Sequence, residues 1–183
     1  MRAIVFILYL FFAAPIWASR PDVPVAEGRA DLSGVTEDEW PVRLSGTWYC
    51  RWKEFGDPAE FNTSADTLQV PGSWAPYTGS GDLLPRHVGY ATYQVKDLLL
   101  AVGRYALKLP TIHSAFDLYV NGERIYSSGR IDTSEAMEPC VLSDVVRFST
   151  YSSGAVLLTF RVSNYAYATD ARCSFQRSWL ESS

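Results

Sequence analysis

Six side chains in or beside loops carry the chemistry this sequence offers: Trp74, Tyr77, Arg86, His87, Tyr90 and Arg130. Aromatic rings stack on sugar faces and guanidinium groups grip carboxylates in a planar fork, so the set suits binding more than bond breaking. Most of it falls in or next to APYTGSGDLLPRHV, residues 75–88, a long, polar, glycine-rich stretch. Sandwich folds hold binding residues over their rigid sheets on loops of this kind. A catalytic set is harder to assemble. The two histidines, His87 and His113, stand 26 positions apart, and a serine or cysteine triad would need one of them. There is no G-x-S-x-G elbow, no lysine-bearing phosphate cradle and no dinucleotide fingerprint after a strand. Asp82, Asp97, Asp117, Glu123, Asp132 and Glu135 are the carboxylates from which a glycosidase pair would be drawn, and each reads as an ordinary solvated residue. No catalytic residue is therefore expected. Cys50, Cys140 and Cys173 match no zinc or iron–sulfur spacing, so no metal and no other cofactor is implied. Their odd number leaves one disulfide or none equally open, and the pairing unassigned.

Period-two alternation supplies the scaffold under those loops. In LSGTWYCRWKEF, Thr47, Tyr49 and Arg51 share one face while Trp48, Cys50 and Trp52 share the other, which reads as core. LQVPGSW follows, with a bend at Pro71-Gly72 that a central strand would not tolerate. GYATYQVKDLLL sets Tyr90, Thr92 and Gln94 opposite Ala91, Tyr93 and Val95, and RYALKLP groups Tyr105, Leu107 and Leu109 before Pro110 closes the strand. AFDLYVNG sets Phe116, Leu118 and Val120 against Asp117, Tyr119 and Asn121, and Asn121-Gly122 predicts a type I′ turn into the return strand GERIYSS. After the polar crossover RIDTSEAMEPCVL come VVRFST and AVLLTFRVSNY, where Leu158, Phe160 and Val162 face away from Thr159, Arg161 and Ser163. No stretch sustains a helical period. Roughly seven to nine strands at turn-punctuated intervals predict an all-β sandwich.

The first eighteen residues differ from the rest. Arg2, the apolar run from Ala3 to Ala14 and the small residues near Ala18 and Ser19 have the build of a secretory signal peptide. The stretch from Ala3 to Ala18 is sixteen residues, short of the roughly twenty a membrane span needs, and contains Pro15. The expected location is outside the cytoplasm, periplasmic or extracellular, with membrane association if the segment is retained. Losing Arg2 leaves 15 Lys and Arg against 20 Asp and Glu. A mildly acidic chain without a basic run is a poor partner for nucleic acid. Residues 19–43 read as an N-terminal arm with a short edge strand around Val35 to Leu44, residues 44–165 as the binding domain and residues 166–183 as an atypical tail. Nothing in the sequence sets the oligomeric state.

Four segments together resemble a known family: VPGSW (70–74), GYATYQV (89–95), LKLPTIHSAFDLYVNGERIYSSGRIDTSEAMEP (107–139) and VSNY (162–165). They resemble the periplasmic sensor region of bacterial seven-transmembrane receptors with diverse intracellular signalling modules. That region is similar in fold to galactose-binding-like jelly rolls, and so to the sugar-binding module of family 2 glycoside hydrolases. The resemblance implies a galactose-binding-like jelly-roll β-sandwich that binds a carbohydrate or other small molecule and reports to a membrane signalling partner. An accessory sugar-binding module of a glycoside hydrolase and a purely structural sandwich are the alternatives. The residues after Tyr165, AYATDARCSFQRSWLESS, depart from the family, whose VSN segment leads into a His- and Gly-containing strand. The departure fits either a shortened receptor or a free-standing binding protein, and it carries the expectation that a final strand is missing and an edge left open.

Overall fold

The computed structural model of the chain describes residues 22–61, 65–72, 88–109, 114–166 and 179–182. They form β1 (Asp22–Val25), β2 (Arg29–Asp31), a 3-10 turn (Glu37–Glu39), β3 (Val42–Trp52), β4 (Asp66–Val70), β5 (Gly89–Leu100), β6 (Gly103–Leu109), β7 (Ala115–Val120), β8 (Glu123–Ser128), β9 (Asp144–Thr150), β10 (Gly154–Asn164) and β11 (Trp179–Ser182). The architecture is an all-β, mostly antiparallel sandwich of the jelly-roll kind. Hydrogen bonds run in the order β8-β7-β10-β5-β3-β11-β6-β9. β3 links the two layers: Tyr49–Trp52 pair with β5, whereas Val42 and Arg43 pair with β11. Among the described residues no helix is long and apolar enough to cross a membrane.

The apolar sets fall inward as their alternation requires. Trp48, Tyr93, Phe116 and Phe160 are the largest fully buried side chains, and the Trp48 and Phe160 rings lie 5.9 Å apart. Tyr105, Leu107 and Leu109 join the same core with Val146 and Phe148 from β9. The residues read as an arm contribute too. β1 pairs in parallel with β3 and β2 with β5, and Val25, Ala30 and Leu32 are buried in the common core. At the predicted hairpin, Asn121 and Gly122 have φ values of 50° and 85°, the positive pair a type I′ turn needs. The Asn121 side-chain oxygen accepts from the Leu157 amide at 2.8 Å, fastening the turn to β10.

Two features differ from the sequence reading. The tail provides β11, which pairs antiparallel with β3 on one side and β6 on the other, so the slot there is filled and not left open. Meanwhile the polar face of β3, β5, β10 and β7 is not a solvated surface. The connection after β3, residues 53–61, lies across it as a strap. Thr92 donates to the Glu54 carbonyl at 2.7 Å, Gln94 to Glu60 at 3.0 Å, Thr159 to Pro58 at 3.2 Å and the Arg161 Nε to Gly56 at 3.0 Å. Phe55 and Phe61 pin the strap's ends against Tyr90 and Tyr49. Thr92, Gln94 and Thr159 are consequently buried although they point away from the core.

Candidate functional site

Of the six expected binding residues, Tyr90 and Arg130 are described; Trp74, Tyr77, Arg86 and His87 lie outside the described residues, as does His113. Tyr90 stands at the second position of β5, directly after the segment that holds those four. Its ring, half-buried, meets Phe55 at 4.9 Å, and its backbone carbonyl accepts from the Lys53 amide at 2.9 Å. Opposite it on β10 is Ser163.

Ser163 ties this end of the sandwich to the crossover that follows β8. Its hydroxyl accepts from the Asp132 amide at 3.3 Å, and the Tyr165 hydroxyl donates to the Thr133 carbonyl at 2.6 Å. Burial, and then the proximity of Tyr90 and Asp132, hold the Tyr165 phenol above its ordinary range. The Asp132 carboxylate caps Ser134, accepting from its hydroxyl at 2.6 Å and its amide at 2.9 Å. Those bonds, the hydroxyl's first, keep its pKa below that of a free aspartate.

Arg130 is engaged elsewhere in the same crossover. Its guanidinium pairs with Glu138 at 2.7 Å and donates to the Ala136 carbonyl at 2.7 Å, while the backbones of Arg130 and Glu138 bond each other. It closes a loop of the rim and is exposed there. The rim thus presents the rings of Phe55, Tyr90 and Tyr165 with the Asp132 carboxylate beside them. Stacking surfaces next to hydrogen-bonding groups can hold a small polar molecule with apolar faces.

Of the aromatic residues gathered here, sequence reasoning named Tyr90 and not Phe55 or Tyr165. Tyr165 ends VSNY and directly follows β10, whose pairing with β5 stops at Asn164 opposite Gly89. Phe55 had no such signal, because only the course of the strap brings it to Tyr90. Cys50 is buried on β3 and Cys140 bridges by its backbone to Ser114; Cys173 lies outside the described residues. Among the described residues no group of His, Cys, Asp and Glu could hold a metal ion.

No protein-family model and no curated protein matches the sequence. In structure the chain is similar to part of the β-glucuronidase of Faecalibacterium prausnitzii, with a TM-score of 0.52 and 19% identity over 69% of this chain and 21% of the enzyme. It is similar also to a β-glucuronidase of an uncultured Clostridium sp., with a TM-score of 0.50 and 19% identity over 68% of this chain and 22% of the enzyme. The chain spans about a fifth of the length of the enzymes it matches. What the likeness establishes for this chain is the fold.

Proposed function

We propose that the chain is a non-catalytic carbohydrate-binding module of the accessory kind carried by family 2 glycoside hydrolases, with its sugar on the rim built by Phe55, Tyr90, Asp132 and Tyr165. The observation that carries the reading is the meeting of Tyr90 with Phe55 at 4.9 Å and its pairing with Ser163, two residues before Tyr165, directly after the segment bearing Trp74, Tyr77, Arg86 and His87. In this reading those four residues complete the site from the 73–87 segment. Arg130 supports it by holding the crossover in place.

A ligand that binds only the native state raises the unfolding midpoint. Thermal-shift screening against neutral and acidic mono- and oligosaccharides should find at least one sugar that does so. Tyr90→Ala and Tyr165→Ala should each weaken that sugar about tenfold, while Tyr90→Phe keeps it because the stacking face remains. A broad panel without a shift, or unchanged affinity in both alanine variants of a folded protein, would overturn the reading.

A finer reading makes the module the input part of a membrane signalling receptor. It is supported by the resemblance of segments 70–74, 89–95, 107–139 and 162–165. Crosslinking in intact cells tests it: a membrane protein whose crosslinking yield changes when the sugar is added supports it, and no membrane protein captured removes it.

A further inference from the structure

We propose that the outward face of β6 and β9 is a second binding site, one for an acidic oligosaccharide. The register sets Arg104 opposite Ser149, Ala106 opposite Arg147 and Lys108 opposite Val145, so all six share one face of the sheet. The alternate residues Tyr105, Leu107, Val146 and Phe148 are in the core, which leaves the cationic set pointing outward. Arg104, Lys108 and Arg147 are exposed. Four residues of strand separate Arg104 from Lys108, about 13 Å, and Arg147 lies between them on the neighbouring strand.

Small side chains shape the space between the cations. Ala106, 5% exposed, stands between Arg104 and Lys108 in their row, and Ser149 faces Arg104. A depression of about 290 Å³ opens beside them, lined by Arg104, Arg147, Phe148 and Ser149. The three cations take part in none of the ion pairs among the described residues, which are Arg29 with Asp97, Arg51 with Glu54, Arg124 with Asp117 and Arg130 with Glu138.

Two guanidiniums flanking a hollow are suited to planar, bidentate acids, and a third cation further along the strand suits a ligand with repeated charge. The whole chain carries a net charge of −4, so three cations on one face mark a local preference and not a general one. Duplex nucleic acid, with about one charge per 1.7 Å, asks for a denser array. An acidic oligosaccharide, with one carboxylate or sulfate per one or two rings, matches a track of three. The face shares no residue with the Tyr90–Tyr165 rim, so either site can fail without the other.

Calorimetric titration of the protein with hexagalacturonate, a heparin hexasaccharide, cellohexaose and a single-stranded DNA hexamer tests the proposal. Binding is expected for one or both acidic sugars, and which one tells whether carboxylate or sulfate is recognised. It should weaken as salt rises to about 0.15 M, where the Debye length is about 8 Å. The double variant R104A/R147A should bind about tenfold more weakly. Lys108→Glu should also weaken binding, which keeps the test decisive if the double variant does not fold. Cellohexaose binding that R104A/R147A weakens as much as it weakens binding of the acidic sugars, tighter binding of the DNA, no binding of either acidic sugar, or unchanged affinity in the folded variants would overturn the proposal.

Discussion

Asp117 sits where the alternation of β7 points it away from the core, yet its side chain is only 7% exposed. It accepts from the Ser127 hydroxyl at 2.6 Å and the Tyr119 hydroxyl at 3.2 Å, and Arg124 lies 3.6 Å away. Tyr119 in turn receives an Arg161 Nη1 bond at 3.3 Å, and the Arg161 guanidinium stands over its ring at 5.2 Å. Sequence alone made Asp117 a solvated residue and set Thr159 and Arg161 on the face away from the core, because alternation reports which face a residue takes and not what covers that face. Asp117→Ala leaves two hydroxyls and a cation without their acceptor in a covered site. It should lower the unfolding free energy by about 2–4 kcal/mol, read from urea denaturation. Burial first, and then the Asp117 carboxylate, raise the Tyr119 phenol above its ordinary value of 10.0. A raised folded-state value means that the neutral phenol favours the native state. That contribution is fully present below pH 10.0 and is lost as pH rises through the folded value. Stability should therefore fall on the alkaline side of that pH, less so in Tyr119→Phe.

At the scale of elements, the strands were legible and the strap was not. Each strand announces itself through side chains, as Trp48, Cys50 and Trp52 or Leu158, Phe160 and Val162 do. The strap KEFGDPAEF is bound chiefly through its own carbonyls, those of Glu54, Gly56, Pro58 and Glu60. Carbonyls are common to every residue, so the sequence holds no mark of where the segment lies. Two glycines expose its fit. A Cβ at Gly56 would stand 1.7 Å from the Arg51 Nη2, and a Cβ at Gly122 would stand 2.6 Å from the Ala59 Cβ at a φ of 85°. Gly122→Ala should cost about 1–2 kcal/mol for the left-handed backbone, with the collision added to it. Gly56→Ala should lift the strap from Arg51. Hydrogen exchange should then accelerate across residues 54–61 in both variants while the amides of β5 and β10 stay protected; unchanged exchange in both would contradict the strap's role.

For the whole molecule, the sandwich class followed from the strand count and the alternating faces, while the join between its layers did not. β3 turns from β5 to β11 within eleven residues, a change of partner that no local pattern encodes. β11 itself comes from a tail whose composition matched nothing upstream. The four site residues of the 73–87 segment lie outside the described residues, and Tyr90, Tyr165 and Asp132 are the fixed part of the rim against which they are to be tested. The central claim is that this rim binds a sugar. A ¹⁵N-resolved NMR titration with the saccharide that gives the largest thermal shift reads it residue by residue. The account predicts that amide signals of residues 89–92, 130–134 and 163–166 move together and saturate on one binding curve. Saturable shifts confined to other parts of the sandwich, with those three segments unmoved, would contradict it.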